Sequence, residues 1–383
     1  MNKDYFRVED LTVGYDKNAL IRDICFSIRR GEILTLIGPN GSGKSTILKT
    51  LTRHLARLRG DVKVMDASIF GLSYADLAKT LSVLLTDRVK GEMMTCFDVA
   101  ATGRYPYTGR LGILSEEDKE KVRETLTLVQ ADTIASREFG RVSDGQRQRI
   151  LLARAFCQEP DIMVLDEPTS YLDIKYKLEL LTILRRLAKE KGITVLLSLH
   201  EIDLAQKISD KVICVSGDVI RHFGTPEEIF REAIIRDLYR LEGGTYNTRF
   251  GSIELPAPAG PAQTFVISAG GRGIPVYRRL ARAGIPFISG ILYTNDIDFE
   301  LAKSLACRVI DQEAFLPIGQ EKRQEAAEAI RACRYVINAG FPDVEMLRPL
   351  SELVGQAEKA GKLVNLAGLL AIFEQPVDAF SGA

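Results

Sequence analysis

The chain has 383 residues, enough for two or three domains and a substantial buried core. Its 51 Lys and Arg balance 51 Asp and Glu, so no global basic field draws it to nucleic acid or to an anionic membrane surface. With 46% hydrophobic and 27% charged residues, the composition excludes a disordered or fibrous chain.

The apolar runs, such as Ile193 to Leu199, fall far short of the roughly 20 residues that a membrane-spanning helix needs. The start, Met1-Asn-Lys-Asp-Tyr5, carries no charged-then-apolar leader, and Cys25, Cys96, Cys157, Cys214, Cys307 and Cys333 form no CxxC pair, which together predict a reducing, cytoplasmic setting. His54, His200 and His222 stand at no metal-ligand spacing with a cysteine, so a structural zinc site is not expected, whereas magnesium stays open.

In chain order, Phe6, Val8, Leu11 and Val13, followed by Leu20 to Ile28, predict antiparallel strands, and Ile33-Leu-Thr-Leu-Ile37 predicts the first buried strand. Short apolar runs then alternate with amphipathic helical patterns to about residue 240, the pattern of an α/β domain with a largely parallel sheet. Residues 87–157 read instead as a helical insertion, in which Ser115-Glu-Glu-Asp118 caps a helix running to about Gln130. Pro256-Ala-Pro-Ala-Gly-Pro261 reads as a linker, because proline removes backbone donors and disfavours helix at the residue before it. Beyond it, Thr264 to Ser268, Phe287 to Leu292, Arg308 to Ile310 and Tyr335 to Asn338 restart the α/β alternation. The predicted organisation is a first domain over 1–255, a linker over 256–263 and a small Rossmann-like α/β domain over 264–383, with no internal repeat of fixed period.

The stretch Gly38-Pro39-Asn40-Gly41-Ser42-Gly43-Lys44-Ser45-Thr46 fits the GxxxxGK[ST] phosphate loop, directly after a buried strand and before Ile47-Leu48. Glycines let backbone amides surround phosphates, and the helix N-terminus near Lys44 adds about half a positive charge. Lys44 neutralises the terminal phosphates, and Ser45 is the expected magnesium ligand. The apolar strand Ile162-Met-Val-Leu165 ends in Asp166-Glu167, at the carboxyl end of a sheet strand where α/β proteins bind ligands. Asp166 is expected to hold Mg²⁺ through water and Glu167 to polarise the water attacking a γ-phosphate, since phosphoryl transfer needs positioning and charge neutralisation. Without the phosphate loop, such a pair reads equally well as a helix cap.

With these motifs, residues 1 to about 240 resemble the nucleotide-binding subunit of ABC transporters. Val142-Ser143-Asp144-Gly145-Gln146 is similar to that family's signature loop, Ser170-Tyr171-Leu172-Asp173 to its D-loop, His200 to its switch histidine and Tyr15 to its adenine-stacking aromatic. The resemblance implies a P-loop ATPase fold with a helical subdomain and an antiparallel β edge, binding ATP with Mg²⁺. It also implies a head-to-tail homodimer, in which ATP bridges one subunit's phosphate loop and the other's Ser143, Gly145 and Gln146, with Asp173 and His200 completing the site. Two departures stand out: Thr86 occupies the place of the Q-loop glutamine that reaches magnesium, and Asp144 that of a second signature glycine. Gly103-Arg-Tyr-Pro-Tyr107 resembles the branch importing iron-siderophores, haem and cobalamin, although the same residues also read as a rigid turn.

That branch implies an ATPase at the cytoplasmic face of the membrane, a translocase whose helical insertion grips a short helix of a permease fed by a substrate-binding protein. The competing reading is a soluble ABC-type ATPase acting on nucleic acid or ribosomes, which normally shows two fused ATPase units or a long coiled-coil insertion; neither is in this sequence. In the last domain, Gly270-Gly-Arg-Gly273 after a strand hints at an anion site, and Asp296-Ile-Asp298 marks a second acidic cluster or a helix cap. The domain as a whole resembles an accessory regulatory module of cobalamin and siderophore importers.

Overall fold

The alternating apolar residues near the start form β1 (Phe6–Tyr15) and β2 (Asn18–Ile28), an antiparallel pair closed by Asp16 and Lys17, whose φ values of 47° and 69° are those of a tight hairpin turn. In this computed structural model residues 4–85, 93–109 and 112–373 are described. The chain divides into two compact units, Met1–Arg240 and Leu241–Ala383.

In the first unit β3 (Ile33–Ile37) and α1 (Lys44–Leu51) follow the hairpin. Next come β4 (Arg59–Val64) and β5 (Ala67–Ser68), which join the first two strands in a four-stranded antiparallel sheet of order β2-β1-β4-β5. The main sheet uses β3 and four later strands in parallel: β6 (Leu81–Leu84), after α2 (Tyr74–Thr80), then β7 (Ile162–Leu165), β8 (Thr194–Ser198) and β9 (Lys211–Ser216). An antiparallel β10 (Val219–Gly224) closes its edge, giving the order β10-β9-β3-β8-β7-β6. Every residue of β3, β7 and β8 is buried, as apolar runs covered on both faces must be. Phe6, Ile24 and Phe26 of the antiparallel sheet pack with Leu34, Val164 and the Ile47, Leu48 and Leu51 face of α1 in one core.

This order has a functional consequence. Parallel strands share one carboxyl edge, and β3, β8 and β7 are neighbours, so the phosphate loop, His200 and the Asp166-Glu167 pair leave the sheet side by side.

The helical insertion contains α3 (Cys96–Ala101), α4 (Glu116–Leu128) and α5 (Asp144–Cys157), which pack on one another. The Ser115 cap is present: its hydroxyl accepts from the Asp118 amide at 3.1 Å, and the Asp118 carboxylate accepts from the Ser115 amide at 3.1 Å. The Gly103–Tyr107 segment has a structural task here. A Cβ on Gly103 would lie 2.1 Å from the Arg154 carbonyl oxygen, so a side chain would push this turn off α5. Arg104 is buried, donating from Nε to Asp118 at 2.9 Å and from Nη1 to Glu159 at 2.8 Å and to the Cys157 carbonyl at 2.7 Å. Its guanidinium also lies 4.2 Å from the Tyr107 ring centroid. This segment therefore clasps α4 to the end of α5. The remaining elements of the unit are α6 (Ile174–Lys191), α7 (Ile202–Ile208), α8 (Pro226–Ile229) and α9 (Glu232–Tyr239).

The second unit begins earlier than the proline segment. The hairpin β11 (Thr245–Asn247) and β12 (Ser252–Glu254) groups with it, so the boundary lies at Arg240/Leu241 and residues 241–255 do not belong with the first unit as expected. The cause is tertiary: Asn247 Nδ2 donates to the Glu300 carbonyl at 3.0 Å, and Arg249 pairs with the Glu300 carboxylate at 3.2 Å. The strands β13 (Thr264–Ser268), β14 (Phe287–Tyr293), β15 (Arg308–Gln312) and β16 (Tyr335–Gly340) form a four-stranded parallel sheet of order β15-β14-β13-β16. The helices are α10 (Ile274–Arg282), α11 (Ile297–Leu305), α12 (Gln320–Ala332), α13 (Arg348–Lys359) and α14 (Leu366–Phe373). The glycine turn after β13 is filled by the chain itself. Asp296 accepts from the Gly270 amide at 2.8 Å, and buried Asp298 accepts from the Gly273 amide through both oxygens, at 3.1 and 3.0 Å. Two of the amides that an external anion would use at this turn already have carboxylate partners.

Replacing Arg104 with Ala leaves Asp118 without its buried cation, and we expect about 3 kcal/mol of destabilisation of the first unit, read as a lower urea midpoint. Tyr107→Phe, which keeps the stacked ring, should lose far less.

Candidate functional site

The strand-to-helix turn after β3 is built on glycine. Gly38 has a φ of 147°, and a Cβ there would fall 2.1 Å from the Val215 carbonyl oxygen; Gly43, at φ 98°, caps α1. Tyr15, Asn40, Gly41, Ser42, Gly43, Lys44, Ser45, Thr46, Glu167 and His200 line one cleft of about 460 Å³ together with Leu20. Of the expected phosphate-loop residues, Gly38 and Pro39 stand behind its surface.

Lys44 is buried in the turn, and its Nζ donates to the carbonyls of Gly38 at 2.7 Å and Pro39 at 2.9 Å. Burial lowers its pKa, while the negative charges of Glu167 and Asp166 oppose that shift. Among the described residues the buried Ser42 hydroxyl has no hydrogen-bond partner, which is costly unless another group supplies one. A buried cation bonded to neutral carbonyls, an orphaned hydroxyl and the amino end of α1 all suit an anion. Tyr15 sits at the rim, half exposed, with its hydroxyl 3.3 Å from Thr46 Oγ1 and its ring face open to a flat aromatic ligand.

Across the cleft, Glu167 takes a φ of 49°, and its Oε1 lies 2.5 Å from His200 Nε2. The Ser170 hydroxyl donates to its other oxygen at 3.3 Å. Asp166 is buried behind it. A residue that the sequence reading missed ties the two acids together: Ser198, at the end of β8, donates to Asp166 Oδ1 at 2.7 Å and accepts from the Glu167 amide at 2.9 Å. Its only signal in the sequence is a hydroxyl closing the apolar run Val195-Leu-Leu197.

The remaining expected site residues lie elsewhere. Ser143, Gly145 and Gln146 open α5 and do not line this cleft. The Ser143 hydroxyl accepts from the Gln146 amide at 3.3 Å, which leaves its own hydrogen to donate outward. Asp144 pairs with Arg147 at 2.8 Å, so its charge is compensated on the helix surface. A Cβ on Gly145 would sit 3.1 Å from the Tyr171 carbonyl oxygen, which brings the α5 start against the 170–173 segment. Asp173 caps α6, accepting from the Tyr176 amide at 3.0 Å. Thr86 lies outside the described residues.

Comparison with known proteins fits this geometry. The ABC transporter family model matches residues 21–170, and the MJ0874 family model matches residues 287–377. An iron(3+)-hydroxamate import ATP-binding protein of Bacillus subtilis is 34% identical over 61% of this chain and 87% of its own length. A cobalamin import ATP-binding protein of Halobacterium salinarum is 29% identical over 85% of this chain and 82% of its own. An uncharacterised ABC transporter ATP-binding protein of Methanocaldococcus jannaschii is 42% identical over 75% of this chain and 99% of its own length. A match of that strength along nearly the whole of a relative settles the family: this chain belongs to the ABC transporter ATP-binding proteins.

Proposed function

We propose that this chain is the ATP-hydrolysing subunit of an importer for metal chelates, of the iron-siderophore, haem or cobalamin class. The observation that carries the reading is the juxtaposition of buried Lys44 and orphaned Ser42 with the Glu167–His200 pair in one cleft. Lys44 and the phosphate-loop amides hold the β- and γ-phosphates of ATP, and Tyr15 stacks on the adenine. Glu167 accepts a proton from the attacking water, and His200 holds the Glu167 carboxylate in place while hydrogen-bonding the γ-phosphate. Ser198 is a positioning residue, acting through Asp166 and Glu167.

The donor set suits Mg²⁺. Among the described residues no cluster of three acidic, histidine or cysteine groups could cage a metal by itself. Magnesium takes one or two protein ligands and fills the rest with phosphate and water, so Ser45 and Asp166 suffice. When bound there, the ion would neutralise part of the triphosphate charge.

A lone subunit offers nothing from Ser143, Gly145 or Gln146 to its own cleft. We infer that a second copy delivers them head to tail, the free Ser143 hydrogen and the α5 amides meeting the γ-phosphate, with Asp173 at the same interface. A separate groove of about 450 Å³ runs between the end of α1, α2, β6 and α5. It supports docking of a short permease helix, and through it the coupling of closure to transport. No helix among the described residues is long and apolar enough to cross a membrane, consistent with a subunit held at the cytoplasmic face by its permeases. The imported class follows from the hydroxamate and cobalamin relatives and from the Gly103–Tyr107 likeness.

Glu167→Gln is expected to lower kcat by at least about 100-fold and to trap an ATP-bound dimer on size exclusion. A monomeric variant, or one that still hydrolyses ATP, overturns the assignment. Ser198→Ala should lower kcat by roughly 10-fold with a smaller change in the KM for ATP, and Ser198→Thr, which keeps the hydroxyl, should recover most of it. In a reconstituted complex with its permeases and binding protein, uptake of labelled ferric hydroxamate or cobalamin should depend on ATP and stop in the Glu167→Gln variant. Uptake of neither, nor of haem, removes the substrate class and leaves the ATPase assignment standing.

A further inference from the structure

The permease groove is electrostatically one-sided. Its apolar surface includes Tyr74, Leu77 and Tyr105, the two tyrosines largely exposed, and its charged side chains are Arg53 and Arg154; no carboxylate lines it among the described residues. The two guanidiniums differ. Arg53 is already engaged: Nη1 donates to the carbonyls of Ile69 at 3.1 Å and Leu72 at 2.8 Å, and the group lies 4.4 Å from the Tyr74 ring centroid. Arg154, in the last turn of α5, is partly buried and has no hydrogen-bond or ion-pair partner for its side chain among the described residues.

The α5 carboxyl-terminal dipole favours a cation at this position, but a dipole satisfies none of the five guanidinium N–H donors. Burial lowers the Arg154 pKa with no counter-charge opposing it. By contrast, the buried Arg104 of the same insertion has two carboxylates and a carbonyl.

We propose that Arg154 is the specificity contact of this groove, and that the permease segment seated there is an amphipathic helix whose apolar face carries one carboxylate, paired to Arg154 in the assembled transporter. The inference rests on the reading of the groove as the permease dock and adds the chemistry of the partner. An apolar helix packs on Leu77, Tyr74 and Tyr105, and its acid meets a guanidinium that is already partly desolvated, so the pairing has chiefly the acid's own desolvation to offset. A basic segment entering the same groove would face two cations with no compensating charge, which gives discrimination between permeases.

The test uses the full chain and its detergent-solubilised membrane subunits. Arg154→Glu should weaken their association at least about tenfold, and Arg154→Gln by less. Changing one Asp or Glu of the docked permease segment to Lys should weaken binding of the unmodified chain to a similar degree, a measurement that leaves this chain's fold untouched. Combining that change with Arg154→Glu should restore association. If the unmodified chain does not bind the membrane subunits at all, the docking reading itself falls. If it binds but neither Arg154→Glu nor any acid-to-Lys change in the permease weakens association, the docking reading survives and the Arg154 pairing is wrong.

Discussion

Lys44 is a cation that the fold has removed from water and surrounded with neutral acceptors. Its ammonium rests on the Gly38 and Pro39 carbonyls inside a turn whose backbone only glycine can follow at Gly38. Beside it the Ser42 hydroxyl is buried without a partner among the described residues. Polar groups left in that state destabilise a protein by kilocalories unless something completes them. In the proposed function a triphosphate does so, and the packing of α1 against β3 and the antiparallel sheet supplies the stability that lets the turn persist without it.

The rest of the first unit is arranged around this anion-seeking turn. Because β3, β8 and β7 are adjacent and parallel, the residues leaving their carboxyl ends converge without any long loop. Ser198 then couples the two acids of β7 to β8, so Asp166 and Glu167 hold different environments: one buried and bonded to a hydroxyl, the other at the cleft and bonded to His200. Those different environments suit the two distinct roles proposed for them, one toward a cation and one toward water. The α5 start, with an available hydroxyl, lies outside the cleft, as the proposed head-to-tail pairing of two copies requires.

The insertion shows the same logic with opposite outcomes for two arginines. Arg104 is saturated with partners and clasps α4 to α5, so the segment that resembles an importer signature acts first as a fastening. Arg154, whose carbonyl lies close to Gly103, has no side-chain partner among the described residues and lines the groove. In the second unit the balance is closed internally: Asp296 and Asp298 occupy the Gly270 and Gly273 amides, and a turn of phosphate-loop appearance becomes a structural latch.

What the chain discloses by itself is the chemistry carried by contiguous residues. The GxxxxGK[ST] loop, the Asp166-Glu167 pair after an apolar run, the Ser143 segment, the first hairpin and the strands at 33–37, 162–165, 264–268 and 287–292 are legible because each is a local pattern of residue type and spacing. Tertiary structure alone decided four things: that Ser198 links Asp166 and Glu167 from 32 positions away, that Arg104 is a clasp, that Asp298 fills a turn 25 positions before it, and that the second unit takes in the hairpin at 245–254. The physical reason is common to all of them. A donor or cation reads the same in sequence whether its partner is the chain, the solvent or a ligand, and only the folded distances determine which partner it has.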